Sequence, residues 1–173
     1  TGYVGNFVTR VASERGEREI RHGAAVIAVG AEVYEPKEYL YGEDERVMTH
    51  LELEDRIASG DERVAGAKTV VMIQCVGCRN EERDYCSRVC CGESVKNALK
   101  LKELDPEKEV YILFRDVRTY GLMEDAYREA SERDVKFIRW EPEDPPQVES
   151  AGEGLRVSVP DPILGERLSI DAD

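Results

Sequence analysis

The clearest pattern of apolar and polar positions lies in the second half of the chain. β-branched and other apolar runs mark strands, and between them apolar residues recur at helical spacing. The pattern predicts strands and helices in alternation, at 69–74, 94–104, 109–115, 120–133 and 135–140. A strand, helix, strand, helix, strand order favours a parallel sheet with right-handed crossovers.

Weaker patterns flank this region. The continuous apolar run at 24–31 ends in Gly30-Ala31 and predicts a buried strand of a parallel sheet. Thr49, with Glu52 three residues later, has the spacing of a capping box and predicts a helix through Ile57. The Pro-, Tyr- and Gly-rich segment at 32–44 is expected to be a surface connection.

The C-terminal segment changes period. Residues 155–159 and 166–170 alternate with period two, after a stretch that contains Pro142, Pro145 and Pro146. This alternation predicts a small antiparallel hairpin.

Charge and hydropathy exclude two classes of partner. The formal net charge of -13 over 173 residues repels a phosphate backbone, and the sequence has no basic stripe to overcome it, so we expect no nucleic acid partner. No apolar run approaches the roughly 18 residues of a membrane span, and the N-terminus lacks the regions of a signal peptide. We therefore expect a cytoplasmic protein. The first residue is Thr1, not Met, so we also expect a piece of something longer.

All five cysteines lie between Cys75 and Cys91, with the spacing C-x2-C-x7-C-x3-C-C, after a predicted strand and before a predicted helix. An odd count in a reducing compartment argues against disulfides. Structural zinc usually uses two C-x2-C knuckles, and only one is present. An iron–sulfur cluster takes four thiolates from such a loop without paired knuckles and fits best. A redox switch of Cys75 and Cys78 is a weaker alternative.

The arginines of this loop, and its lack of a glycine-rich motif, refine the prediction. Arg79, Arg83 and Arg88 alternate with the cysteines and would offset the negative charge of a cluster, although they could also form a solvated mixture with the neighbouring acids. A dinucleotide site would carry G-x-G-x-x-G after its first strand. Cysteines occupy that turn, so we predict that this lobe does not bind NAD(P).

Several strings resemble one known family, the A subunits of heterodisulfide reductase. They are Gln74-Cys75-Val76-Gly77-Cys78-Arg79, Tyr85-Cys86-Ser87-Arg88-Val89-Cys90-Cys91, Phe114 to Gly121, Phe137 to Trp140, Glu38 to Asp44 and Asp161 to Gly165. The Tyr-Cys-Ser-Arg-Val-Cys-Cys string is the most specific of them. The resemblance covers essentially the whole chain.

The resemblance implies a fold similar to thioredoxin reductase. It implies an α/β fold with a partial FAD-binding lobe at 1–62, a Rossmann-like three-layer lobe at 63–146 with a parallel sheet and the cysteines, and a β-hairpin at 147–173 that returns toward the FAD lobe. Gly30 and Ala31 match a turn that approaches the flavin. The first FAD motif would lie before Thr1, so we expect FAD in the parent and little or none bound by this piece alone.

The resemblance also implies the cluster ligands and the role. Cys75, Cys86, Cys90 and Cys91 would ligate a four-iron four-sulfur (4Fe-4S) cluster. Many relatives carry Ser at the position of Cys78, which is then a spare thiol or an alternative ligand. The implied role is a one-electron relay near the flavin, within a homo-oligomeric oxidoreductase of methanogenesis that works with other subunits and electron-donor proteins. The piece alone is not expected to be catalytically competent. The alternative is a zinc-stabilised interaction module without a redox role.

Overall fold

The computed structural model describes residues 1–30 and 32–173. They form two compact units, Thr1–Tyr34 and Glu35–Asp173. The first unit contains the strands β1 (Gly2–Tyr3), β2 (Asn6–Ser13) and β3 (Gly16–His22). The elements of the second unit are, in order, α1 (His50–Ser59), α2 (Glu62–Gly66), β4 (Thr69–Ile73), α3 (Cys90–Leu104), β5 (Glu109–Phe114), α4 (Met123–Glu132), β6 (Val135–Arg139), β7 (Gln147–Ala151), β8 (Gly154–Asp161) and β9 (Glu166–Ala172).

The first unit is an antiparallel sheet of order β1-β2-β3 that the sequence analysis did not predict. A tight turn pairs Ser13 with Gly16, and at the other end Phe7 pairs with His22, with ring centroids 5.7 Å apart. Every residue of its three strands is half-buried or exposed, and the apolar alternation that marks a core-facing strand is weak.

The strand predicted at 24–31 is wrong for the described residues 24–30, which form neither strand nor helix. Val26, Ile27 and Val29 are 86% exposed or more. A buried strand needs a paired edge and covered faces. Among the described residues, no strand pairs with this run, so its apolar composition alone does not fold it. Ala31 lies outside the described residues.

The second unit confirms the predicted parallel sheet, with order β4-β5-β6. Its strands alternate between two cores. Val70 and Met72 pack on the helix side with Ile112, and Val71 and Ile73 pack on the other side with Leu113. A strand buried on both faces is apolar throughout, which is why the sequence showed these strands as continuous runs.

Helices cover one face of the sheet. The capping box of α1 is present, because the Thr49 hydroxyl accepts from the Glu52 N–H and the Glu52 carboxylate accepts from the Thr49 N–H at 2.6 Å. Helix α3 begins at Cys90, four residues before the predicted start at Ser94, and buries Val95, Ala98 and Leu101 against the sheet. The segment 32–44 has neither helix nor strand, as predicted.

The other face of the parallel sheet is covered by an antiparallel sheet of order β7-β8-β9. The sequence predicted two of these strands as a hairpin and missed β7. Leu155, Val157 and Val159 of β8 fill the second core, together with Trp140. None of the helices in the described part of the chain has the length and apolar character of a membrane span.

Candidate metal centre

The cysteine loop leaves the carboxyl end of β4 and enters the first turn of α3. The Gln74 N–H donates to the Leu113 carbonyl at 2.8 Å, so the strand continues to the residue before Cys75. The backbone then turns through left-handed conformations at Cys75, Gly77, Arg79 and Arg88, with φ between 58° and 65°. Such φ values strain residues other than glycine. The loop therefore curls back on itself in place of continuing away from the sheet.

The five thiols include two hydrogen-bonded pairs. A hydrogen bond from the Cys78 thiol lowers the pKa of Cys75 to about 6, and one from Cys91 lowers the pKa of Cys90 to about 6. The same bonds raise the pKa of Cys78 and Cys91. All five are free cysteines, and Cys75 and Cys91 are buried. Each pair thus lowers the pKa of one of its two thiols, and the thiolate is the form that ligates metals.

Backbone groups lie close to two of the predicted ligand sulfurs. The N–H of Arg88 donates to Cys86 Sγ at 3.3 Å. The Cys91 sulfur lies 3.5 Å from the carbonyl of Asp116, in the segment that follows β5. The loop and the segment after β5 therefore meet at the cysteines.

Arg79 brings a positive charge to the same place. Its guanidinium lies 3.8 Å from Cys75 Sγ and 2.7 Å from the Asp116 carboxylate. This guanidinium holds the pKa of the Asp116 carboxyl below its usual range. Of the other two arginines singled out from the sequence, Arg83 donates to the Gly77 carbonyl at 3.5 Å, and Arg88 is exposed.

The described cysteines fit a sulfur-bridged cluster by the chemistry of their donors. Within residues 1–30 and 32–173, no three His, Cys, Asp or Glu side chains are grouped closely enough to enclose a single metal ion. Sulfur donors, an N–H that donates to one of them and an adjacent cation are features that support an anionic iron–sulfur cluster. The inorganic core of such a cluster separates its ligands, so the thiolates need not touch one another.

The sequence analysis identified the cysteines and named the string 114–121 for its resemblance, but it did not predict that this segment faces the cysteines. Arg115, Asp116 and Arg118 lie just after β5, and β5 pairs in parallel with β4. The carboxyl ends of neighbouring parallel strands share one edge of the sheet, and that signal could have located them. Gly30 belongs to the first unit, where it is exposed with φ 71°, and nothing in that unit tests its predicted contact with a flavin.

Comparisons with known proteins give one consistent group of relatives. The chain is 40% identical to the iron-sulfur A subunit of the CoB–CoM heterodisulfide reductase of Methanocaldococcus jannaschii over 91% of its length. It is 38% identical to the A subunit of the H2:CoB-CoM heterodisulfide,ferredoxin reductase of Methanothermobacter marburgensis, and 31% identical to that of the ferredoxin:CoB-CoM heterodisulfide reductase of Methanosarcina acetivorans, over 92% and 90% of the chain. The chain spans about a quarter of the length of these relatives. No family model matches it.

Proposed function

Because the chain is homologous to a segment of the A subunit of heterodisulfide reductases, we propose that its cysteine loop holds a 4Fe-4S cluster that serves electron transfer. The proposed ligands are Cys75, Cys86, Cys90 and Cys91. The observation that carries the proposal is that all five free cysteines lie in one loop between β4 and the first turn of α3, where the Arg79 guanidinium lies 3.8 Å from Cys75 Sγ and the Arg88 N–H donates to Cys86 Sγ. Cys78 is proposed to be a spare thiol that hydrogen-bonds to Cys75.

The Arg88 N–H and the Arg79 guanidinium matter because a bound cluster would be negatively charged. Four thiolates around a cluster leave a net negative charge, which is costly to bury unless nearby dipoles or cations offset it. Backbone dipoles that the fold has already oriented offset it without reorganisation. The arrangement therefore lowers the free energy of the negatively charged cluster with its four thiolate ligands.

A cluster bound here would supply one-electron transfer. The buried Cys75 and Cys91 keep water from one side of the site, while Cys86 and Cys90 are half-buried and lie nearer the surface. An electron carrier should approach from that more open side. No side chain of the site needs to act as an acid, base or nucleophile in this role.

The wider context is proposed from the relatives. We propose that residues 1–62 are part of a FAD-binding lobe, with Gly30 and Ala31 near the flavin, and that residues 63–146 form a Rossmann-like lobe with residues 147–173 returning from it. The Methanosarcina relative is named as part of a ferredoxin:CoB-CoM heterodisulfide reductase. We propose accordingly that this chain works within an oxidoreductase of several subunits and receives electrons from a ferredoxin-like donor.

Anaerobic reconstitution with iron and sulfide tests the proposal. The expected product has about four iron and four sulfide per chain, broad visible absorption that bleaches on reduction, and an electron paramagnetic resonance signal in the reduced state. Cys86→Ser should lose this product, and Cys78→Ser, the matched control in the same loop, should keep it. Stoichiometric zinc with no bound sulfide would instead establish the zinc-stabilised module, and the relay would be wrong.

A further inference from the structure

We propose that the positive charge of Arg79 raises the reduction potential of the cluster, and that Asp116 limits this effect by forming an ion pair with Arg79. The inference rests on the proposed function of the cysteine loop. It names two side chains, neither of them a ligand, that tune the same site in opposite directions.

The Arg79 backbone is held from both sides. Its N–H donates to the Tyr85 carbonyl at 3.2 Å, which closes the loop, and its carbonyl accepts from Arg115 Nη1 at 2.9 Å. The guanidinium of Arg115 lies over the Trp140 ring, 5.7 Å from its centroid, and Trp140 belongs to the same core as Cys75. Arg79 has φ 58°, a conformation that is costly for a residue with a side chain. These contacts fix the position of its backbone, and the ion pair with Asp116 orients its guanidinium.

The Arg79 guanidinium is also shielded from water. Its side chain is 19% exposed and Cys75 is 8% exposed, so solvent screens the 3.8 Å contact between them only in part. Charges interact more strongly where the effective dielectric constant is low. Adding one electron to the cluster makes it more negative, and a fixed cation beside a ligand sulfur favours that reduced state. Arg79 should therefore raise the potential.

Asp116 acts against this effect. Its carboxylate lies 2.7 Å from the Arg79 guanidinium but is 47% exposed, so it neutralises the cation without being buried with the cluster. Removing the carboxylate should leave more of the Arg79 charge acting on Cys75. The backbone carbonyl of Asp116, which lies 3.5 Å from Cys91 Sγ, is kept in such a variant.

The test is a potentiometric titration of the reconstituted chain with dithionite, followed by visible absorption and electron paramagnetic resonance. Arg79→Gln is expected to lower the equilibrium constant for one-electron reduction of the cluster about tenfold, which corresponds to a reduction potential lower by about 59 mV. Asp116→Asn is expected to raise the reduction potential. Arg79→Lys should lie between wild type and Arg79→Gln. Arg128→Gln, an exposed arginine of α4, removes the same charge and should leave the potential unchanged.

The outcomes separate the two proposals. Absence of iron and sulfide in wild type contradicts the proposed function itself. Clusters that form in wild type and variants but titrate together, or Arg79→Gln and Asp116→Asn shifts of the same sign, overturn the inference about Arg79. Should Arg79→Gln fail to assemble a cluster, Asp116→Asn and Arg79→Lys decide, because both keep a positive charge beside Cys75.

Discussion

Lys108, in the turn before β5, is a fully buried lysine, and its replacement by methionine tests how the fold holds helix α2. The side chain is 0% exposed, and Nζ donates to the carbonyls of Val64 at 3.3 Å, Ala65 at 2.8 Å and Ala67. These carbonyls belong to the C-terminal end of α2, where the intrahelical acceptors have no helical donor. One ammonium therefore uses all three of its donors on one helix end.

The structure sets the expected size of the effect. Lys108→Met keeps the aliphatic stem but leaves three carbonyls without their donor, and a buried polar group left unpaired costs about 1–3 kcal/mol. Removing the ammonium also relieves its own desolvation, and water can reach the carbonyls that are only partly buried. We therefore expect a net loss of about 2–4 kcal/mol, a large share of the roughly 5–15 kcal/mol typical of domains.

Urea denaturation followed by circular dichroism at neutral pH measures this loss. Lys100→Met is the matched control, because Lys100 is 57% exposed and forms only a surface ion pair with Glu103 at 2.6 Å. Its free energy of unfolding should stay within about 0.5 kcal/mol of wild type. The reasoning about Lys108 is refuted if Lys108→Met is as stable as this control.

Three further predictions use other contacts. Thr49→Ala should lose about 1 kcal/mol of unfolding free energy because it removes the helix cap, and Thr49→Ser should not; equal losses would contradict the capping role. Hydrogen bonds from Arg46 hold the pKa of the Asp44 carboxyl well below its ordinary 3.8, so the stability it adds is present above about pH 4 and is lost as pH falls. Asp44→Asn should therefore narrow the difference in melting temperature between pH 7 and pH 3. An unchanged difference would show that Asp44 does not contribute to the loss of stability at low pH. Cys78→Ser should bind iron as tightly as wild type in a chelator competition, whereas Cys86→Ser should not; equal loss in both would make Cys78 a ligand.

The parallel sheet could be predicted from the sequence because each of its strands is covered on both faces within one unit. Side chains pack into both cores from the runs at Thr69–Ile73 and Glu109–Phe114, so these runs are largely apolar and could be recognised by composition alone. The run at 24–30 is also apolar but has no such cover among the described residues, and there the prediction failed. An apolar run therefore indicates a strand that would need cover on both faces. Whether the strand forms depends on the elements that pack against it.

The proposed site likewise has one part that the sequence shows and another part that only the tertiary structure brings together. Five cysteines within one loop are visible in the sequence, but the segment that faces them belongs to another strand. Asp116 pairs with Arg79 and places its carbonyl 3.5 Å from Cys91 Sγ only because β4 and β5 run parallel and end at the same edge. A sheet with the opposite strand direction would carry the segment after β5 to the far edge, and Arg79 would lose its ion-pair partner. The electrostatics of the proposed centre thus depend on strand order as much as on the cysteines themselves.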